Sequence, residues 1–319
     1  MSSPATPIRA IDCEPIRTIV AGSALDSQSD QVVRAARDLA RRTGATLVVV
    51  HAAPIPMLVP GTLLDDPELL SRMRGELEAE LRQQAQRLEL DSLDPAAVLR
   101  VEDGLPDLLL GRIASESSAD LVVVGATTAG GRLGKLLGST AERMLGWGET
   151  PVLIVREELP LPPRRVLAPV DMSLLSRDAF RCGLRILEQL AAPGEIAVET
   201  LLVVPPPDAA VLPETVQRAE TELGDFLAST PAPGLSLRPR ILTGEARQQI
   251  LRETEEETWD LVMLGTRGTS GIRRTLGSVT AEVSREAPCS VLVVPPRAAL
   301  GEAIAEAVEE QARPLQGRR

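Results

Sequence analysis

Apolar positions along this chain switch back and forth between short runs and helical spacing. Thr18–Ala21 is a short apolar run. Val32, Val33, Ala36, Leu39 and Ala40 then fall on one helical face between Asp30 and Arg42. Thr46–Val50 is a continuous β-branched-rich run, as expected of a parallel strand buried on both faces. Asp66-Pro67 reads as a helix start, with an acidic cap and proline at the first helical position. Val98–Val101 reads as a strand, Pro106 opens a helix, and Leu121–Val124 and Val152–Val155 are two further strands. The second half repeats the series: strand Val166–Ala168, a helix near 178–190, strand Ala197–Val204 and a helix from Pro213. Strand Leu237–Leu242, a helix over 245–257, strand Leu261–Leu264, a helix from Ser278 and strand Val291–Val294 complete it. Such alternation predicts an α/β fold, a mostly parallel sheet with helices on both faces. Ligands on such sheets sit beyond the carboxyl ends of the strands.

The two halves are copies. Asp120-Leu-Val-Val-Val-Gly125 returns as Asp260-Leu-Val-Met-Leu-Gly265, and Gly138-Ser139-Thr140-Ala141-Glu142 returns around Gly277-Ser278-Val279 with a shift of one position. The loop between these motifs is one residue shorter in the second copy. One repetition of so long a unit means duplicated domains rather than a solenoid. The proline-rich run Leu159–Pro163 is a stiff linker, which divides the chain into repeat 1 (residues 1–158, with an N-terminal tail) and repeat 2 (159–319). A helical tail is expected from about 298, because Leu300, Ile304 and Val308 form one stripe. The final strands Val152–Val155 and Val291–Val294 would be sheet edges that invite pairing.

Composition narrows the chemistry. A net charge of −11, no tyrosine and only two Phe and two Trp oppose nucleic acid as a partner. No run approaches the roughly 18 apolar residues of a membrane span, and Met1–Glu14 lacks the order of a signal peptide, so a cytoplasmic location is expected. Cys13, Cys182 and Cys289 are scattered, which suggests neither a disulfide framework nor a zinc site. His51 is the single histidine, and it reads as a strand-end residue rather than a ligand. Cys289 reads as a small buried residue.

The candidate site follows the fourth strand of each repeat. Repeat 2 has Gly265-x-x-Gly268 and then Gly277-Ser278; repeat 1 has Gly125-x-x-Thr128 and then Gly138-Ser139-Thr140. Glycines let a backbone approach a ligand, and a helix start offers free amides to phosphate. Gly134-Lys135 is not a P-loop, since Ala129 and Leu136 stand where glycine and Ser/Thr are needed. Arg132, Lys135, Arg267, Arg273 and Arg274 flank these loops and read as surface residues.

Strand, Gly-x2-Gly, spacer, Gly-Ser, helix and final strand together resemble the nucleotide loop of the universal stress protein family, Gly-x2-Gly-x9-Gly-(Ser/Thr). Pro169-Val-Asp171-Met-Ser173 resembles that family's Pro-x-Asp-x-Ser. The resemblance covers both halves. It implies two tandem Rossmann-like, HUP-type open domains, each a five-stranded mainly parallel sheet, paired within the chain as a pseudo-dimer; a further homodimer is left open. It also implies an adenine nucleotide, ATP, as ligand, with magnesium undetermined. Pro169, Asp171, Val204, Leu264, Gly265, Gly268, Gly277, Ser278 and Val279 would form the site, and Gly125, Thr128, Gly138, Ser139 and Thr140 a weaker one. In repeat 1, Ala21-Gly22-Ser23 stands where Pro-x-Asp is expected, Asp26 is out of register, and Thr128 replaces the second glycine. In repeat 2 only eight residues separate Gly268 from Gly277. The expected function is regulatory nucleotide binding in stress response, mainly in repeat 2, with at most slow ATP hydrolysis. A nucleotide-free dimerising scaffold is the alternative. A hydrolase on the related fold is disfavoured, because no base, nucleophile or carboxylate cluster stands out.

Overall fold

The computed structural model describes residues 15–53, 67–126, 137–147, 150–156, 158–206, 212–266 and 276–296. Repeat 1 runs β1 (Thr18–Ser23), α1 (Ser27–Thr43), β2 (Thr46–Ala53), α2 (Pro67–Arg87), β3 (Val98–Asp103), α3 (Pro106–Glu116), β4 (Leu121–Gly125), α4 (Ser139–Trp147) and β5 (Val152–Val155). Repeat 2 runs β6 (Arg165–Val170), α5 (Leu174–Glu188), β7 (Ile196–Val204), α6 (Leu212–Ala228), β8 (Leu235–Thr243), α7 (Ala246–Glu256), β9 (Leu261–Gly265), α8 (Ser278–Glu286) and β10 (Ser290–Val294). The expected tail helix lies outside the described residues, as do Asp66, Cys13 and the cations Arg132, Lys135, Arg267, Arg273 and Arg274.

The strands form one ten-stranded sheet in the order β3-β2-β1-β4-β5-β10-β9-β6-β7-β8. Each half has the same internal order, and every pairing inside a half is parallel. The halves meet at β5 and β10, which run antiparallel with Val152 opposite Val293, Leu153 opposite Leu292 and Ile154 opposite Val291. All six residues are buried. The two apolar final strands thus pair with each other inside one chain.

Alternation along the strands sends side chains to two cores, each continuous across both repeats. Ile19, Leu47, Val123 and Leu153 pack with Val166, Met263 and Leu292 beneath α1, α2, α5 and α6. Val20, Val122 and Ile154 pack with Leu167, Val262 and Val291 beneath α3, α4, α7 and α8. The strands and helices found agree with the apolar pattern, and the ends differ for local reasons. Helix α5 starts at Leu174, earlier than its apolar face suggests, because the Ser173 side chain caps it by accepting from Ser176 N. Strands β1 and β3 extend two residues further toward their carboxyl ends, to Ser23 and Asp103.

The repeated aspartates do the same work twice. Asp120 Oδ2 accepts from the amides of Arg17 and Thr18 at 2.8 and 3.0 Å. Asp260 Oδ2 accepts from Arg164 and Arg165 at 2.7 and 2.9 Å. Each carboxylate satisfies the amides that lead into the first strand of its repeat and fixes that strand against its neighbour. At the outer edges lie β3 and β8, the least buried strands, which carry Arg100, Glu102 and Asp103, and Arg238, Pro239 and Arg240.

One close approach needs glycine. A Cβ on Gly183 in α5 would meet Met263 Sδ of β9 at 2.2 Å. Gly183→Ala would raise helix propensity by about 1 kcal/mol, but overpacking a full core costs about 1–3 kcal/mol. Met263 is 2% exposed, so overpacking wins: urea unfolding of Gly183→Ala should show a lowered midpoint, partly restored by adding Met263→Ala. Ile154 is fully buried on the seam. Ile154→Ala should cost about 2–5 kcal/mol. Hydrogen exchange should show lost protection in β9 of repeat 2 as well as in β4 of repeat 1, since both flank the pair. A loss confined to repeat 1 would mean that the halves are energetically separate.

Candidate functional site

The strand ends explain where the sites lie. At the end of β6, Asp171 closes a tight turn: its Oδ1 accepts from Ser173 N at 3.0 Å, and its own amide donates to Ser176 Oγ at 3.2 Å. Met172 between them has φ 61°, a left-handed conformation uncommon for a residue with a Cβ. Repeat 1 makes the same turn with Leu25 at φ 61°. Asp26 there holds the capping place of Ser173, accepting from Ser29 N at 2.7 Å. The two turns can therefore be matched residue by residue. Ser23 pairs with His51 at the end of β1 as Val170 pairs with Leu202 at the end of β6. Ala24, rather than Ser23, stands where repeat 2 has Asp171. Ser23 is occupied elsewhere, its hydroxyl donating to Gln84 Oε1 at 2.7 Å.

The fourth strand of each half leads to a helix start in the same way. Gly277 N donates to Thr266 O at 2.9 Å and Gly138 N to Ala126 O at 2.5 Å. These two glycines are therefore equivalent, and the helices after them align without insertion, so Thr140 matches Val279. The Gly277 amide is already bonded; the amides that α8 leaves without an intrahelical acceptor are those of its first turn, Ser278, Val279 and Thr280. Thr280 Oγ1 donates to Gly265 O at 2.7 Å, which ties this turn to the end of β9.

Around these elements lies a cavity of about 200 Å³, and its lining brings together Pro169, Asp171, Leu264, Gly265, Gly277, Ser278 and Val279. Val204 is not part of this lining. Pleating turns its side chain into the core beneath α5 and α6, and Val203 faces the cavity instead. Gly268 and Thr128 lie outside the described residues. The equivalent cavity of repeat 1 is larger, about 500 Å³, and includes Gly125, Gly138 and Thr140 but not Ser139. Its walls include Leu110, Val124, His51 and Arg156. Because β5 and β10 are antiparallel, the carboxyl ends of the two halves point in opposite directions, and the cavities open at opposite ends of the sheet.

Two residues of the repeat 1 cavity carry no site signature in the sequence. His51 Nδ1 lies 2.9 Å from Ser23 O. A carbonyl only accepts, so Nδ1 donates to it; in the neutral ring Nε2 is then an acceptor. That atom is buried with no partner among the described residues. Arg156, just past β5, donates through Nη2 to Ser284 O at 2.6 Å and Arg285 O at 2.7 Å, across the seam. No motif marked either residue, since both matter only through tertiary contact. Cys289 is half-buried, and burial pushes its thiol up to about 11, so it is no nucleophile at neutral pH. Among the described residues no group of three or more His, Cys, Asp or Glu is placed to hold a metal ion, and no helix is long and apolar enough to cross a membrane.

Comparison with known proteins agrees with this architecture. The sequence profile of the universal stress protein family matches residues 15–156 and again 163–295. A universal stress protein of Mycolicibacterium smegmatis is 27% identical over 301 residues, 88% of this chain and 97% of the relative. A universal stress protein of Mycobacterium tuberculosis is 27% identical over 183 residues, 55% of this chain and 61% of the relative. Among solved structures, a universal stress protein of Archaeoglobus fulgidus has 19% identity and a TM-score of 0.62, covering 88% of this chain and 98% of its own. A functionally unknown protein of Pseudomonas aeruginosa has 18% identity and a TM-score of 0.63, covering 91% and 98%. With both repeats matched and the two five-stranded halves joined in one sheet, this chain belongs to the universal stress protein family as a member with two family domains in tandem.

Proposed function

We propose that this protein binds an adenine nucleotide, ATP, in repeat 2 in preference to repeat 1, and acts in stress response through occupancy rather than turnover. The observation that carries the reading is the pairing, across one cavity, of the Asp171 carboxylate with the unbonded first-turn amides of α8. A carboxylate accepts hydrogen bonds from ribose hydroxyls or an amino group, and helix-start amides complement phosphate. Repeat 1 keeps the helix start but has Ala24 in place of the acid, and the one carboxylate among its described lining residues, Asp26, is engaged as the cap of α1, accepting from Ser29 N.

Volume favours the other side of the comparison. Small-molecule pockets usually span roughly 300–1,000 Å³, a range that the repeat 1 cavity meets and the repeat 2 cavity, at about 200 Å³, does not. For repeat 2 the small volume favours the alternative, a nucleotide-free dimerising scaffold organised by the β5–β10 seam, and the larger volume of repeat 1 favours binding there. We give the carboxylate more weight, because an apolar wall moves more cheaply than a missing charge is replaced. Nucleotide in the acid-precipitated supernatant of purified protein, analysed by chromatography, would separate the two readings.

Losing one charged acceptor costs about 1.5–3 kcal/mol. Asp171→Ala should therefore weaken ATP about ten- to a hundredfold by calorimetric titration. Asp171→Asn, which keeps an acceptor for Ser173 N and so preserves the turn, should lose nearly as much. Ser23→Ala should leave the affinity within about twofold. Equal losses from Asp171 and Ser23 variants would remove the preference for repeat 2.

A further inference from the structure

The two cavities occupy matching places and differ in what surrounds them. Gly104 N donates to Ala53 O as Gly244 N donates to Val204 O, so the helix starts after β3 and β8 correspond residue by residue. Leu105 then answers to Glu245, Leu108 to Gln248 and Leu110 to Ile250. Leu110 and Ile250 are buried, and each lines the cavity of its own repeat. Leu105 and Leu108 flank Pro106, another lining residue, and are 48% and 50% exposed. Three residues apart at a helix start, they share one side. Scattered surface leucines need no explanation, but repeat 2 has an acid and an amide at these two places. The approach to the repeat 1 cavity is apolar where that of repeat 2 is polar.

Inside, Val32, Val50, Leu110, Val124 and Val155 give apolar wall to a space of about 500 Å³. Two described lining residues are charged, with opposite signs, and each already serves the frame. Asp26 caps α1 through Ser29 N, and Arg156 Nη2 donates to Ser284 O and Arg285 O. The group without an assignment is His51. It lines the cavity, is 9% exposed, and its Nε2 is buried with no partner among the described residues. With Nδ1 donating to Ser23 O, the neutral ring offers Nε2 as an acceptor. Buried acceptors are nearly always bonded, because leaving one unbonded forfeits its hydration. The frame does not ask for this ring. Strand pairing puts Leu202 at the same place in repeat 2, beside Val170 as His51 stands beside Ser23.

We propose that repeat 1 binds a neutral, largely apolar small molecule carrying one N–H or O–H, of the chemical class of indoles and phenols, and that His51 Nε2 accepts its hydrogen bond. Each part of the ligand answers one observation. The apolar body matches the valine and leucine wall and the leucines at the approach. The single donor matches the one buried acceptor. Neutrality follows from the two charged groups, whose signs cancel and whose bonds are taken up by the frame. A molecule of this kind gains by leaving water, and one hydrogen bond fixes its orientation. The chain then carries two sites of different chemistry, one on each side of the seam. This inference goes beyond the nucleotide reading of repeat 2 and stands without it.

The test uses the full chain at neutral pH, with indole as the probe and N-methylindole, which lacks the donor, as its control, both followed by calorimetry. Indole should bind, and N-methylindole about three- to tenfold more weakly, the worth of one neutral hydrogen bond. His51→Leu puts in repeat 1 the residue that repeat 2 carries, and should bring the two affinities within about twofold. His51→Phe also lacks the acceptor and carries the comparison if the leucine variant fails to fold. Exchanging the approach, Leu105→Glu with Leu108→Gln, should weaken both probes by about the same factor. Saturating ATP should leave indole binding unchanged. No indole binding, equal affinity for the two probes, or a preference that survives loss of the His51 ring would overturn the proposal. So would affinity indifferent to the exchanged leucines, or displacement of indole by ATP. Indole bound as described with no heat from ATP would remove the nucleotide reading and leave this one standing. ATP bound through Asp171 with no indole bound would do the reverse.

Discussion

The antiparallel pairing of β5 with β10 is the interaction on which this molecule depends. A parallel five-stranded unit leaves its last apolar strand with one row of unsatisfied amides and carbonyls. Here each repeat satisfies the other, and Val152, Leu153, Ile154, Val291, Leu292 and Val293 close both cores at once. Direction follows from the same contact. Antiparallel pairing sends the carboxyl ends of the two halves to opposite ends of the sheet, and with them the cavities, the capped turns and the helix starts. It also brings the far end of α8 to Arg156.

The order of elements was legible because parallel strands buried on both faces read as unbroken apolar runs, while the helices between them keep one apolar stripe. Thr46–Val50 and Leu261–Leu264 are such runs, and Val32, Val33, Ala36 and Leu39 are such a stripe. The turn after β1 was not legible in the same way. Matching by chemistry set Ser23 against Asp171, since serine is the nearer polar residue, but backbone pairing and the left-handed Leu25 and Met172 set Ala24 there. Asp26, which seemed displaced, proved to be a helix cap. Val204 went to the wrong face because a strand end gives no sign in sequence of which parity meets the cavity. Arg156 and His51 had no motif, and their significance comes from partners more than a hundred residues away or from a carbonyl across the strand pair.

The two repeats share a backbone and divide its chemistry. Both hold a left-handed residue after the first strand, both cap the next helix from the same position, and both tie the fourth strand to the following helix through a glycine amide. Within that frame repeat 2 carries a carboxylate where repeat 1 has a methyl group, and repeat 1 carries a guanidinium where repeat 2 has a proline ring. A single-domain protein that pairs with a copy of itself must keep both sites alike. Joined in one chain, the sites have diverged in the charged groups they carry.

The outer strands decide what this sheet does next to its neighbours in a crowded solution. Joining the halves used up the two inner edges and left β3 and β8 as the outer strands among the described residues. β3 carries Arg100, Glu102 and Asp103 and β8 carries Arg238 and Arg240, and Pro239 has no N–H to offer a further ladder. A molecule built by strand addition is thereby prevented from propagating by the same means, so a ten-stranded sheet of this kind resists growing into a fibre.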